Sequence, residues 1–274
     1  MCKKNLEKRI NDFEKNALEG FDKSLTIHQN DNDEALYFLK SYHAYINFVT
    51  TELRNNFDEG DALFISRLAT DILAIYACLN HGVKNQSFLI IRSLVESSVM
   101  YEFINTDRNV LMPLYLEHEH YLRGKKLKET TDKSDLPPWL DINQINFEYQ
   151  RVEKNYVGSY WYTKYLKDTK GITHPKIFHL FKLTKREEEY RYVYNTFSNF
   201  SHGSSITHQA FQSKNGYTTT FSFDKKEIFR YALLTLASAD KTIAQLPART
   251  QEEKDIISYS KKYMTLLGAL EIDY

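Results

Sequence analysis

The stretch from Asn85 to Ile104, NQSFLIIRSLVESSVMYEFI, constrains the fold of this chain more than any other. Its apolar residues fall on nearly every side of a helix, and a helix of that kind belongs inside a protein. It nevertheless carries Arg92 and Glu96, which lie four residues apart and therefore share one face. Because an unpaired charge is costly to bury, these two side chains are either a structural brace or part of a functional site.

Composition and turn signals predict what surrounds this helix. The 274 residues contain 9 glycines and 5 prolines, which favours helices, and 20 tyrosines with 17 phenylalanines indicate aromatic packing between them. The Asn215-Gly216 pair between β-prone flanks predicts a hairpin at about 210–223. We therefore predict an all-α fold: a single helical-bundle domain over residues 1–274, with about eight or nine helices, this small β-hairpin and an irregular insertion at about 130–175.

Apolar periodicity and capping signals locate the helices. The predicted helical stretches are 6–21, 36–53, 63–79, 85–104, 108–128, 184–201, 225–246 and 251–267, with short helices as further candidates at 141–156 and 174–183. Asp58 to Asp61 caps the third of them, and Thr250 with Glu253 forms a capping box for the last. The Pro-containing stretch from Thr130 to Trp139 is the clearest linker.

The charge balance excludes several classes of protein. Lys plus Arg and Asp plus Glu both total 36, so nothing global indicates a nucleic-acid or membrane surface, and any RNA contact must come from a local patch. The two cysteines, Cys2 and Cys78, do not suggest a disulfide framework, which fits a reducing cytoplasm. The charged N-terminus lacks an apolar signal core, and no uninterrupted apolar run approaches the ~20 residues of a membrane span. We therefore expect a cytoplasmic protein without a membrane partner.

A second group of polar residues lies at the end of the predicted helix at 184–201, which is rich in tyrosine and phenylalanine. Ser198 and His202 lie four residues apart and face the same way. A histidine at the C-terminus of a helix is favoured electrostatically when it is protonated, so a purely structural role explains His202 as well. A role in chemistry becomes attractive only in combination with Arg92 and Glu96.

That combination carries a resemblance. The Arg-x-x-x-Glu helix at Arg92 and Glu96, followed by Tyr194, Ser198 and His202, resembles a bacterial family of uncharacterised helical proteins. That family is similar, at a distance, to the HEPN domains, many of which are metal-independent ribonucleases of toxin-antitoxin and antiviral systems. The HEPN pattern also places an arginine shortly before the histidine on the same helix. Asn195, Thr196 and Phe197 stand there instead, so Arg92 would have to supply the cation from the other helix.

The resemblance implies a reaction without metal or other cofactor. His202 would act as base or acid, because an imidazole titrates near neutral pH. Arg92 would bind the phosphate, Glu96 would orient Arg92 or His202, and Ser198 would hold the imidazole or contact phosphate. These four residues are our predicted catalytic site. The resemblance also implies RNA as substrate, a homo-oligomer whose site forms between protomers, and an antitoxin or defence-system partner protein.

Other interpretations of the same residues stay open. The four side chains equally fit a buried polar network that locks two core helices in a non-catalytic interaction protein. Glu117 and His120 match half of a di-iron motif, with Glu96 as a further ligand, although a solvated polar face explains them more simply. His174 and His179 are weaker candidates for a metal site, and His208 is a weaker candidate for the pocket of His202. A basic helix end is a weaker candidate for an RNA-backbone contact, and it consists of Arg123, Lys125, Lys126 and Lys128.

Overall fold

A computed structural model describes residues 34–81, 83–130, 140–195, 197, 211–213, 216–218 and 225–270. The predicted first helix at 6–21 and most of the linker after Thr130 lie outside the described residues. Within them the chain forms two compact units, residues 1–98 with 193–274 and residues 99–192. The single-domain assignment stays a prediction, because two compact units can belong to one folding unit.

Ten α-helices account for the architecture of the described chain. They are α1 Glu34–Leu53, α2 Glu59–Asn80, α3 Lys84–Asn105, α4 Arg108–Glu129, α5 Ile142–Val152, α6 Thr163–Lys170, α7 Ile177–Leu183, α8 Lys225–Ile243, α9 Gln251–Ser258 and α10 Ser260–Leu270. A helical turn at Glu187–Glu189 runs directly into a π-helix at Tyr190–Tyr194. Short 3₁₀ segments follow α1 and α5 at Arg54–Asn56 and Glu153–Asn155.

The first unit has a core built on the predicted periodicities. The inward face of α1 is fully buried at Leu39, Tyr42, Ile46 and Val49, which recur every three or four residues. A capping box begins α2, where Asp58 accepts from the backbone of Asp61 at 2.9 Å and Asp61 accepts in return at 3.2 Å. The predicted helix at 85–104 is confirmed, with one more residue at each end. The predicted box of Thr250 with Glu253 is confirmed at the start of α9.

The second unit is centred on α4 and α5. A Cβ atom at Gly124 of α4 would lie 2.2 Å from the ring of Tyr149 on α5, so only glycine permits this close approach. The residues at 163–170, which we predicted to be irregular, form α6 and end at Gly171 in the left-handed conformation. Burial of Leu166 explains why this polar segment becomes a helix.

The predicted fold class needs correction in its β part and its helix number. The architecture is all-helical, with ten helices rather than eight or nine in the described chain. Among the described residues of the predicted hairpin at 210–223, Phe211–Ser213 pairs with Gly216–Thr218, three residues on each side. Two strands this short do not make a stable element by themselves. The hairpin is therefore wrong as a component of the fold, which is all-α.

One described helix is long and apolar enough to cross a membrane by length and composition alone. It is α2, Glu59–Asn80, and a third of its apolar window is buried inside the protein. Core helices pass the same test, and α2 packs its inner face of Phe64, Leu68 and Ile72 in the first unit. A single such helix is weak evidence for a membrane span.

Candidate functional site

The structure brings Arg92 into contact with Tyr194, two residues of the sequence pattern that are 102 positions apart. The Nη2 group of Arg92 donates a hydrogen bond of 2.9 Å to the Tyr194 hydroxyl. The guanidinium carbon also lies 4.5 Å from the centroid of the tyrosine ring. The ring therefore orients the arginine through both a hydrogen bond and a cation–π contact.

Aromatic packing explains why these two segments meet. Phe88, one turn before Arg92 on α3, stacks on Phe197 with ring centroids 4.8 Å apart and an angle of 11° between the rings. Tyr231 of α8 packs edge-on against both rings, at 5.1 and 6.0 Å. Offset and edge-on aromatic contacts add stability beyond the area that they bury. This trio fixes the position of Tyr194 over Arg92.

The π-helix that ends at Tyr194 is the local feature that places its side chain. A π-helical turn has wider spacing than an α-helical turn and re-aims the side chains at its end. Such turns are rare and occur frequently at functional sites. Tyr192 within the turn is exposed, whereas Tyr194 is half-buried against the guanidinium.

Glu96 lies one turn beyond Arg92 on α3 and is half-buried. Burial raises the pKa of its carboxyl above the ordinary value of 4.5, although the positive charges of Arg92 and then Arg67 pull that pKa down. The effect of burial on the pKa is larger than that of the two charges, so Glu96 keeps its proton at a higher pH than an exposed glutamate. A carboxyl of this kind is suited to proton transfer, and shifted pKa values cluster at functional sites.

Sequence reasoning missed the contribution of α2 to this site. Arg67 of α2 donates a hydrogen bond of 2.6 Å to the Ser93 hydroxyl on α3, next to Arg92. Its Nε atom lies 3.7 Å from Asp71, whose pKa burial also raises. The signal was present in the sequence, because Arg67 and Asp71 repeat the four-residue spacing of Arg92 and Glu96 within another largely apolar helix.

The interior next to this cluster is closely packed. A cavity of about 10 Å³ lies beside Asp71 and Ser97, with Phe64, Leu68 and Leu94 in its walls. That volume is at the lower limit for one water molecule. An organic ligand would therefore have to approach Arg92 and Glu96 from elsewhere.

The remaining predicted site residues divide into two groups. Ser198 and His202, together with His208, lie outside the described residues. Glu117 forms an ion pair of 2.5 Å with Arg151, and His120 contacts the carboxylate of Glu148. These contacts make the Glu117 and His120 pair a solvated ion-pair face between α4 and α5. Among the described residues, no three His, Cys, Asp or Glu side chains are grouped so that they would hold a metal ion.

The basic helix end and His179 have structural partners. Arg123 pairs with Glu119, Lys125 with Glu129 at 4.0 Å and Lys128 with Glu153 at 3.2 Å. The backbone N–H of Lys176 donates to Nδ1 of His179 at 2.9 Å, which caps the start of α7. These side chains are held by local ion pairs and capping.

Comparison with known sequences places the chain in a family. The model of DUF5677, a family of unknown function, matches residues 62–218, more than half of the chain. The matched range includes Arg92, Glu96, Tyr194, Ser198 and His202. No curated protein and no solved structure matches the chain. The chain therefore belongs to the DUF5677 family of unknown function.

Proposed function

We propose that this protein is a metal-independent endoribonuclease of HEPN-like type, or an effector derived from one, and that Arg92 binds the scissile phosphate. The observation that carries the proposal is the contact of Arg92 with Tyr194, which joins the two segments of the sequence pattern. A guanidinium forms two parallel hydrogen bonds to phosphate oxygens, and a ring beneath it fixes its orientation.

The reaction needs three groups. The RNA 2′-oxygen attacks phosphorus, so a bond from O2′ to phosphorus forms while the bond to O5′ breaks. A base accepts the proton of the 2′-hydroxyl and an acid gives a proton to O5′, leaving a 2′,3′-cyclic phosphate and a 5′-hydroxyl. Arg92 stabilises the charge that develops on the phosphoryl oxygens. His202 and Glu96 take the acid and base roles, and Ser198 positions the imidazole.

The raised pKa of Glu96 supports a role in proton transfer. A carboxyl that holds its proton closer to neutral pH donates it more readily to a leaving oxygen in a reaction at that pH. The second guanidinium, Arg67, adds positive charge near the same carboxyl and strengthens the local attraction for an anion.

The biological setting follows from the resemblance rather than from the geometry. HEPN-like ribonucleases act in toxin-antitoxin and antiviral systems, so we propose a cytoplasmic toxin or defence effector that acts as a homodimer with an antitoxin or defence-system partner. Light scattering on the purified chain measures its oligomeric state. A strictly monomeric active enzyme would contradict the dimer.

The experiment incubates purified protein with end-labelled RNA, with and without a chelator. We expect cleavage that the chelator leaves unchanged and products that end in 2′,3′-cyclic phosphate. Arg92→Ala and His202→Ala should each lower the rate on the order of 100-fold, the scale at which one oxyanion-stabilising donor acts. Arg54→Ala is the control, because Arg54 is an exposed arginine in the 3₁₀ segment that follows α1.

A second candidate function is a non-catalytic interaction protein in which the polar cluster locks the helices together. The contact of Arg92 with Tyr194 inside one unit favours this candidate too, since it orders two segments of the fold. The two functions are separated by measuring thermal unfolding beside activity. If Arg92→Ala and His202→Ala unfold and the wild type cleaves no RNA, the polar cluster is structural and the proposal of a ribonuclease is wrong.

A further inference from the structure

A groove of about 670 Å³ opens between α1 and the C-terminal helices α9 and α10 in the first unit. Its walls include Tyr45 and Phe48 from α1, and Tyr259 and Tyr263 from the other side. This volume lies in the range of about 300–1,000 Å³ that is typical of small-ligand sites. The residues that form it are separate from Arg92, Glu96 and Tyr194.

Aromatic rings provide the apolar surface of the groove. The ring of Tyr45 lies 5.4 Å from Tyr263 and 6.0 Å from Tyr259, with the ring planes tilted rather than stacked. The Tyr45 hydroxyl donates to the Ile256 carbonyl at 2.7 Å, so its polar end is bound within the protein. Phe48 and Tyr259 are about half exposed, at 51% and 47%. Large rings this exposed leave apolar surface for a ligand.

The charged residues that are described in the lining of the groove have one sign. Glu252 and Asp255 lie three positions apart on α9, both exposed, and both line the groove, whereas none of the described lining residues is a lysine, arginine or histidine. Like charges at this spacing repel each other, and a cation between them relieves that repulsion. At the margin, the ammonium of Lys262 lies 5.0 Å from the Tyr259 ring centroid, so this ring already accepts a cation on one face.

We propose that this groove binds an amphiphilic organic cation, an amine with an aromatic or alkyl body. The body packs on Phe48, Tyr259 and Tyr263, and the ammonium head lies between Glu252 and Asp255. An anion of the same shape is excluded by the two carboxylates, and a neutral molecule gains only the apolar contact. The proposed ribonuclease site plays no part in this binding.

The test compares two probes that differ in one head group. Isothermal titration calorimetry on the full chain at low salt measures 4-phenylbutylamine, which is cationic at neutral pH, and 4-phenylbutan-1-ol, which is neutral. We expect the amine to bind at least about tenfold more tightly than the alcohol, a preference that weakens in high salt. The double variant Glu252→Gln with Asp255→Asn should reduce this preference for the amine to about two- to threefold or less. Phe48→Ala should weaken the binding of both probes.

Asp168→Asn is the matched control, since it removes an exposed carboxylate of the second unit. The exposed positions of Glu252 and Asp255 keep the double variant folded, which a thermal melt checks. The proposal is overturned if both probes bind equally, if neither binds, or if the double variant keeps the full preference for the amine. It is also overturned if light scattering shows self-association that Phe48→Ala abolishes, because the groove would then hold a second copy of the chain.

Discussion

Two arginines, one in each compact unit, are held in different ways. Arg186 of the second unit is 4% exposed, and its guanidinium lies between two carboxylates. Its Nε atom donates to both oxygens of Glu189 at 3.1 Å, and its Nη1 atom donates to Glu102 at 3.3 Å. Arg92 of the first unit is half-buried and lies on the ring and hydroxyl of Tyr194.

The described contacts of the two arginines lead to different expectations for stability. A carboxylate that contacts a guanidinium both orients it and neutralises its charge. The tyrosine ring orients the guanidinium of Arg92 without adding a formal charge, and the positive charge of Arg92 also lowers the pKa of the half-buried Glu96 carboxyl. The sequence left brace and site open for Arg92, and the stability variants described next separate the two. Arg186 shows what a brace looks like in the same chain.

Removing the charge of Arg186 should have the largest effect on stability. In Arg186→Met, Glu102 and Glu189 lose the cation that compensates their partial burial, and we expect a loss of about 3 kcal/mol in the free energy of unfolding by urea. The exposed Arg191→Met is the control and should cost less than about 0.5 kcal/mol. Equal costs for the two variants would show that Arg186 braces nothing.

Arg92→Met should cost less, about 1 kcal/mol, because Arg92 is half-buried and its hydrogen bond and cation–π contact with Tyr194 are each of modest strength. Tyr194→Phe keeps the ring and deletes the hydroxyl, so its cost should be a fraction of that of Arg92→Met. The same urea titrations measure both. If Arg92→Met were as destabilising as Arg186→Met, Arg92 would be a brace as well and the contrast between the units would fail.

The sequence predicted helices α1, α2 and α3 well for a simple physical reason. A helix that is apolar on nearly all sides is stable only in the interior of the protein. The caps at Asp58 and Thr250 have specific hydrogen-bond patterns that the residue types predict. The charged pair on α3 stood out against that apolar background. Arg67 and Asp71 gave the same signal on α2, and they would have been found by applying the same criterion to every core helix.

The segment from α7 to Tyr194 shows why other features could not be predicted. The end of α7 is set by Lys185 in the left-handed conformation, at a φ of 58°, where a glycine would normally give the signal. This turn separates α7 from the helical turn at Glu187–Glu189 and buries Arg186, which looks like an exposed residue in the sequence TKREEE. The π-helix that ends at Tyr194 has no sequence signature either, so the contact with Arg92 depended on geometry that periodicity does not encode.

The smallest expected effect is a pH dependence carried by Glu96. Because burial raises its pKa in the folded protein, the folded state keeps this proton at a pH at which the unfolded chain has released it. The contribution of Glu96 to stability is therefore greatest below its ordinary pKa of 4.5 and falls as pH rises through the raised pKa of the folded state. Glu96→Gln should gain stability relative to the wild type over that interval and should match it more closely at lower pH.

Urea titrations of wild type and Glu96→Gln at a series of pH values measure this difference. Glu52→Gln, which removes an exposed carboxylate of α1, is the matched control. A stability gap that widens in the opposite direction, with the wild type favoured as pH rises, would mean that Arg92 and Arg67 outweigh burial at Glu96. The carboxyl would then be a conventional ion-pair partner, and Arg92 would resemble Arg186 after all.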